Sequence, residues 1–250
     1  MVHFIIPVRS RRVAKDWNNV RDLCAGTLRS VYNQTSQKHS VQLVCHEPPV
    51  EEVGDRVNVE SVRFGVPSNK REMMVDKKKK VRIGAAQASK EPGDYVMILD
   101  ADDRVDRRLV EYVHRQEDAD VWVIHKGYVW PYGRRFCFKW DNFHGLCGSS
   151  HLIRYDGGNM PTGREDEEDY TLMTPHGKIK KKAERRGLRV ESIPFEAGCY
   201  VTDVGENHSG ISMVGYMHKG RFLKKVMGFR FLTSSIRESF AISDGPYSES

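Results

Sequence analysis

Apolar residues follow two rhythms along this chain. Short, mostly apolar runs at Val2–Val8, Val41–Cys45, Tyr95–Leu99 and Val121–Ile124 read as buried strands, and a weaker alternation at Val57–Phe64 reads as another. Between them the spacing changes to threes and fours. In Asp16–Val31 the apolar positions Trp17, Val20, Leu23, Cys24, Leu28 and Val31 fall on one face of an amphipathic helix. Asp76–Ser89 predicts a second helix with Asp76 as its N-cap, and Arg107–Gln116 a third. The turn "EPGD" introduces the strand at Tyr95. Strands alternating with helices predict an α/β fold whose mainly parallel sheet is covered on both faces.

The second half reads differently. The aromatic stretch "YVWPYGRRFCFKW" predicts antiparallel strands. "KIKKKAERRGLRV" predicts a basic helix that Gly187 ends, followed by a strand at Arg189–Ile193. Met217–Ile242 reads as a helical tail. No internal repeat or low-complexity linker interrupts the pattern, so a single domain over 1–216 and a helical tail over 217–250 is the simplest organisation.

Charge adds one constraint. The 250 residues carry a formal net charge of +6, which suits an anionic partner. The basic runs Lys77–Lys80 and Lys178–Arg189 read first as solvated helix faces. No helix-turn-helix, zinc-finger or RNP aromatic pattern accompanies them, so nucleic acid is not the expected partner. The five cysteines form no CxxC pair, which argues against a zinc or thioredoxin-like site and fits reduced thiols. The opening "MVHFIIPVRS" turns polar too soon for a signal peptide, and no apolar run reaches the roughly 18 residues of a membrane span. A cytoplasmic protein is expected.

Candidate chemistry gathers at "YVMILDADDR", where a buried strand runs into Asp100, Asp102 and Asp103. In open α/β sheets ligands bind beyond the carboxyl ends of the strands. Residues two apart in extended backbone point the same way, so Asp100 and Asp102 share a side. Two such carboxylates repel unless a positive charge lies between them, and a hard divalent cation, Mn²⁺ or Mg²⁺, answers that need. A solvated turn, with Asp103 capping the next helix, explains the same letters. A second acidic cluster, "GREDEEDYTL", offers Glu165, Asp166, Glu167, Glu168 and Asp169, either as a catalytic base or as an acidic helix N-terminus. "GENHSG" places His208 between glycines, and His176 opens the basic helix where it can face a phosphate.

Three segments, "FIIPVRSR", "VQLVCHE" and "GDYVMILDADDRV", follow one another in the order of the GT-A glycosyltransferases and most resemble family 2. The likeness spans roughly the first 125 residues and follows the remainder loosely. It implies a Rossmann-like GT-A domain, with 1–125 as the nucleotide-sugar and metal-binding half and 126–216 as the acceptor half. By this resemblance Pro7, Val8 and Arg9 border the nucleotide. Glu47 stands at the base-contacting acidic position, although Pro-Pro follows it here instead of Gly-Ser. Lys80 or Arg82 reaches the diphosphate, near a Gly84 that lacks the family's neighbouring Asn. Asp100, Ala101 and Asp102 form the DxD motif, with Asp100 on the ribose or metal, Asp102 on the metal and His208 as a further ligand. Glu165-Asp166 matches the family's acidic pair, with Asp166 as base; Glu168-Asp169 repeats the pair and competes with it. Gly148 and Ser149 match the acceptor-side loop, and Trp140 offers an aromatic face to a sugar.

The implied reaction moves a hexose from a UDP- or GDP-linked donor to a hydroxyl of a glycan or lipid-linked acceptor, with inversion, in polysaccharide synthesis. A nucleotidyltransferase is the alternative, though "PVRSRRVAKDW" lacks the glycines expected of its phosphate loop. A non-catalytic anion-binding protein is the other. In the tail, Lys219, Arg221, Lys224, Lys225 and Arg230 alternate with Phe222, Val226, Met227, Phe229 and Phe231. Such a helix suits the inner face of a membrane or a second copy of the chain.

Overall fold

The computed structural model describes residues 1–50, 54–116, 119–164, 169–205 and 228–243. The first half delivers β1 (Val2–Pro7), α1 (Trp17–Tyr32), β2 (His39–Cys45), β3 (Val57–Ser61), α2 (Lys70–Gln87) and β4 (Tyr95–Ile98). Every residue of β1 is buried, because β2 and β4 flank it, both parallel to it. Its pleat divides the core. Phe4 and Ile6 join the cluster formed with Val20, Cys24 and Leu28 of α1, whereas Ile5 joins the opposite cluster with Val81 and Ala85 of α2. Helix α2 packs close to the sheet at Gly84, where a Cβ would lie 2.6 Å from Ile5 Cγ2 and 3.0 Å from Val44 Cγ2.

Asp16 caps α1, its carboxylate accepting from Asn18 N at 2.9 Å. The start of α2 differs from the expectation. Asn69 is the cap, accepting from Glu72 N at 3.0 Å, while Glu72 reaches back to Ser68 N at 2.7 Å. This reciprocal Asn-x-x-Glu arrangement satisfies the Glu72 amide in the first turn and the Ser68 amide just before the cap. Asp76 therefore lies inside the helix, buried, and caps nothing.

The chain continues through β5 (Arg104–Val105), α3 (Leu109–Arg115), β6 (Val121–Pro131), β7 (Phe136–Asp141), β8 (His151–Arg154), α4 (His176–Arg185), β9 (Val190–Thr202), β10 (Phe229–Phe231) and α5 (Ser234–Ser239). All described strands join one sheet, whose main path runs β10-β7-β6-β8-β4-β1-β2-β3. The β3-β2-β1-β4 portion is parallel, and β8 runs antiparallel between β4 and β6. The expected antiparallel pair is present as the β6–β7 hairpin, turning at Gly133 with φ +75°. Strand β9 lies parallel to β6 along its other edge. Helix α4 stops as expected: Gly187 takes φ +72°, its N–H donates to Glu184 O, and Leu188 N donates to Ala183 O.

The tail needs correction where it is described. Phe229–Phe231 is an edge strand, β10, paired antiparallel with β7, and the helix after it is the short α5. The stretch 206–227, with its basic and aromatic alternation, lies outside the described residues. All five cysteines are buried and free. Among the described residues no helix is long and apolar enough to cross a membrane.

Candidate functional site

Beyond the carboxyl ends of β1 and β4 lies a cavity of about 400 Å³. Pro7, Val8 and Arg9, leaving β1, form one wall. Asp100, Ala101 and Asp102, leaving β4, form the next. Helix α2 contributes Lys70, Met73 and Lys77, and the later chain closes the rim with Gly148, His176 and Tyr200. The fold thus brings together the β1 loop and the acidic turn, which lie far apart in sequence, and His176 reaches the same space.

The acidic turn is held from behind. Asp100 N donates to Ser149 Oγ at 2.9 Å, and Ser149 Oγ donates in turn to Asp103 Oδ2 at 2.7 Å. Asp103 also accepts from Cys147 Sγ at 3.1 Å and from Val201 N at 3.2 Å. It is buried and ties the turn to the segment before β8 and to β9. Burial, with Asp102 and Asp100 close by, pushes its carboxyl well above the usual range. Asp103 is therefore no helix cap; the α3 cap is Arg108, with no side-chain cap bond. Ser149 likewise faces inward and positions the turn, whereas Gly148 faces the cavity. A Cβ on Gly148 would lie 3.3 Å from Asp100 Oδ2.

The electrostatics centre on Asp100, Asp102 and Lys77. Lys77 Nζ pairs with Asp100 Oδ1 at 2.5 Å. Burial opposes the lysine's charge, but Asp100, with Asp102 and Asp103 behind it, outweighs that and holds its pKa up. Asp102 is pushed up to about 6 by its burial and by Asp100, with Lys77 and Arg9 pulling the other way. One ammonium does not neutralise the pair. Lys77 and Arg9 offset the two carboxylates only in part, since Asp102 stays raised, and two neighbouring oxygen donors at a cavity wall fit a hard divalent cation such as Mn²⁺ or Mg²⁺. Among the described residues no set of three His, Cys, Asp or Glu side chains converges as metal ligands. His208, the further ligand suggested by the resemblance, lies outside them.

Lys80 also lines the cavity, from behind the Val8 wall. It is fully buried, its Nζ donating to Val8 O at 2.8 Å and to Asp76 Oδ2 at 2.7 Å. Asp76 Oδ1 also meets His46 Nε2 at 2.8 Å. This chain of contacts ties α2 to the ends of β1 and β2, so Lys80 positions the Val8 wall and its ammonium is already committed. Arg82 is not among the residues lining the cavity. Glu47 accepts from Ser10 Oγ at 3.1 Å and Arg11 N at 3.0 Å, fixing the β1 loop, and does not line the cavity either.

Of the acceptor-side candidates, Trp140 lies on β7 opposite Gly127, also outside the cavity lining. Asp169 pairs with Lys182 of α4 at 2.6 Å and with Arg186, the residue capping its end, at 3.5 Å. The hydrogen bond from Lys182 holds its carboxyl below the usual range, the wrong direction for a proton acceptor. Glu165 and Asp166 lie outside the described residues. Lys70, Met73 and Lys77 were not singled out from the sequence; the helical spacing that puts them on one face with Lys80 was the available signal.

The described elements follow the order expected of the first half: β1, α1, β2, β3, α2 and β4, with the acidic turn after β4. No protein-family model matches the chain, and no curated protein matches it. Among solved structures, S. aureus TarS matches with a TM-score of 0.46 at 13% identity, covering 80% of this chain and 36% of that one. Francisella tularensis 2-C-methyl-D-erythritol 4-phosphate cytidylyltransferase (IspD) matches with a TM-score of 0.42 at 12% identity, covering 78% of this chain and 90% of that one. This chain thus spans little more than a third of TarS, and its likeness to both is one of fold.

Proposed function

We propose that the protein is a glycosyltransferase that takes a hexose from a nucleoside-diphosphate sugar, UDP- or GDP-linked, and passes it to a hydroxyl of a glycan or lipid-linked acceptor. The observation that carries this reading is the gathering of Asp100 and Asp102 with Arg9, Lys70 and Lys77 around one cavity, Lys77 in contact with Asp100. Anionic phosphates need such cations, and the carboxylate pair needs a further positive charge. Arg9 and Lys70 bind and orient the diphosphate, and the rigid turn behind Asp100 fixes the acidic pair without reorganisation. Asp100 and Asp102 would hold the divalent cation, which offsets the negative charge that develops on the departing diphosphate.

In the inverting form of the reaction the acceptor oxygen attacks the anomeric carbon as the bond to the diphosphate breaks. The acceptor's proton passes to a carboxylate. Asp166, with Glu165 beside it, is the proposed acceptor of that proton; the paired and exposed Asp169 is the poorer candidate.

The test is calorimetric titration with UDP, GDP, CMP, dTDP and the nucleoside triphosphates CTP and UTP, each with and without Mn²⁺, on the wild type and Asp102→Asn. One nucleoside diphosphate should bind in a metal-dependent way, and Asp102→Asn should abolish the metal's contribution while leaving the melting curve intact. Binding of none of them, or binding indifferent to Asp102, would overturn the reading. Preference for a nucleoside triphosphate would favour the nucleotidyltransferase instead.

A further inference from the structure

The Asp100–Lys77 ion pair raises a question about order. Lys77 Nζ occupies one oxygen of Asp100, and Gly148 backs onto the other, close enough that a Cβ there would lie 3.3 Å from Oδ2 and 3.9 Å from Lys77 Nζ. Any cation that takes Asp100 meets the ammonium first. We propose that Lys77 is a displaceable counter-cation for the acidic pair: it occupies Asp100 in the free protein, competes there with the divalent cation, and is released toward the donor's diphosphate when that cation binds. This rests on the reading above and assigns Lys77 a regulatory part in it.

Three observations support the exchange. Lys77 and Asp100 keep 33% and 26% of their side-chain surface exposed, so the pair sits at the cavity surface and can part. Lys80, one helical turn on, is buried at 0% and tied to Val8 and Asp76, so the neighbouring lysine cannot take over the role. Lys70 and Met73 lie on the same face of α2 and line the cavity, so a released Lys77 swings along a wall that already carries a second ammonium. A diphosphate in that space meets both. The metal and the diphosphate then help each other to bind. The metal frees a cation for the phosphates, and the phosphates draw that cation away from Asp100. Such coupling is reciprocal by linkage.

The decisive measurement uses Mn²⁺ alone, without nucleotide. Free Mn²⁺ is followed by electron paramagnetic resonance during titration of the wild type, Lys77→Met, Lys77→Arg, Asp102→Asn and the Lys77→Met/Asp102→Asn double variant. Removing one positive charge in contact with Asp100 should tighten Mn²⁺ binding by roughly ten-fold or more. Lys77→Arg keeps the charge and should bind Mn²⁺ as weakly as the wild type. Asp102→Asn should lose the ion in both backgrounds. Equal Mn²⁺ affinity in the wild type and Lys77→Met, with loss on Asp102→Asn, overturns the lysine's role and leaves the metal reading standing. Absence of Asp102-dependent binding in every variant overturns both. Lys77 keeps a third of its side chain exposed at the cavity surface, so its variants should fold, which circular dichroism melting checks directly.

Discussion

Replacing Lys80 with Met isolates the contact that shapes the donor wall. In the native protein its ammonium is fully buried and bonded to Val8 O at 2.8 Å and Asp76 Oδ2 at 2.7 Å. Methionine fills much of the same volume but leaves Asp76, 8% exposed, with His46 as its remaining side-chain partner among these contacts. The Val8 carbonyl also loses its donor. Removing one partner of a buried ion pair costs about 3–5 kcal/mol, because the other charge is left uncompensated. Asp76→Leu strands the ammonium instead, at a similar cost. The double variant leaves neither charge, and such apolar replacements are often close to neutral. Urea unfolding at pH 7 of the four proteins closes the cycle. The double variant should be more stable than the sum of the single losses predicts by about 2 kcal/mol or more. Additive losses, or a Lys80→Met cost below about 1 kcal/mol, would refute the claim that this pair is what holds the β1 loop to α2.

Gly84→Ala tests the close packing of α2 on the sheet. The added methyl meets Ile5 Cγ2 at 2.6 Å, an overpacking cost of about 1–3 kcal/mol, against a gain of up to about 1 kcal/mol from helix propensity. A net loss in urea unfolding is expected, and a stabilised variant would contradict the packing. His151 carries an acid-sensitivity prediction. Burial, then His144 and His176, lowers its pKa from 6.5 to about 3, while its Nε2 is buried without a partner among the described residues. The folded state therefore resists a proton that the unfolded chain accepts. Stability should fall as pH drops below about 6.5, with His151 contributing roughly 1.4 kcal/mol per pH unit. His151→Asn should flatten the stability curve between pH 6.5 and 5; parallel curves for the two proteins would refute the assignment.

What could be read from the sequence follows how far each residue's partners lie from it. Strands β1, β2 and β4 announce themselves as apolar runs because neighbouring strands and two layers of helix bury them on both faces. Asp100 and Asp102 were legible for a related reason: a buried strand ending in carboxylates leaves few uses for the charge. The lysines of α2 were not. Lys77, Lys78, Lys79 and Lys80 look alike in a row. Yet the helix turns one onto Asp100, two toward solvent, with Lys79 over the Phe64 ring, and one into the core. Telling them apart needs the helical frame, and taking Asp76 as the cap in place of Asn69 hid that frame. With the helix begun at Lys70, Asp76 and Lys80 become a pair one turn apart facing inward, and Lys77 falls on the face of Lys70 and Met73.

Asp103 marks the limit of such reasoning. It adjoins Asp102 in sequence, but its role is set by Cys147, Ser149 and Val201, which arrive through the registers of β8 and β9. Phe229–Phe231 fails in the same way. Its alternation is that of a strand, but only the free edge of β7 makes it one. The face of the cavity built within β1, α2 and β4 is therefore written locally. The clamp behind it is written in pairings between distant strands, which is also why substitutions in that clamp should act on the rigidity of Asp100 before they act on its charge.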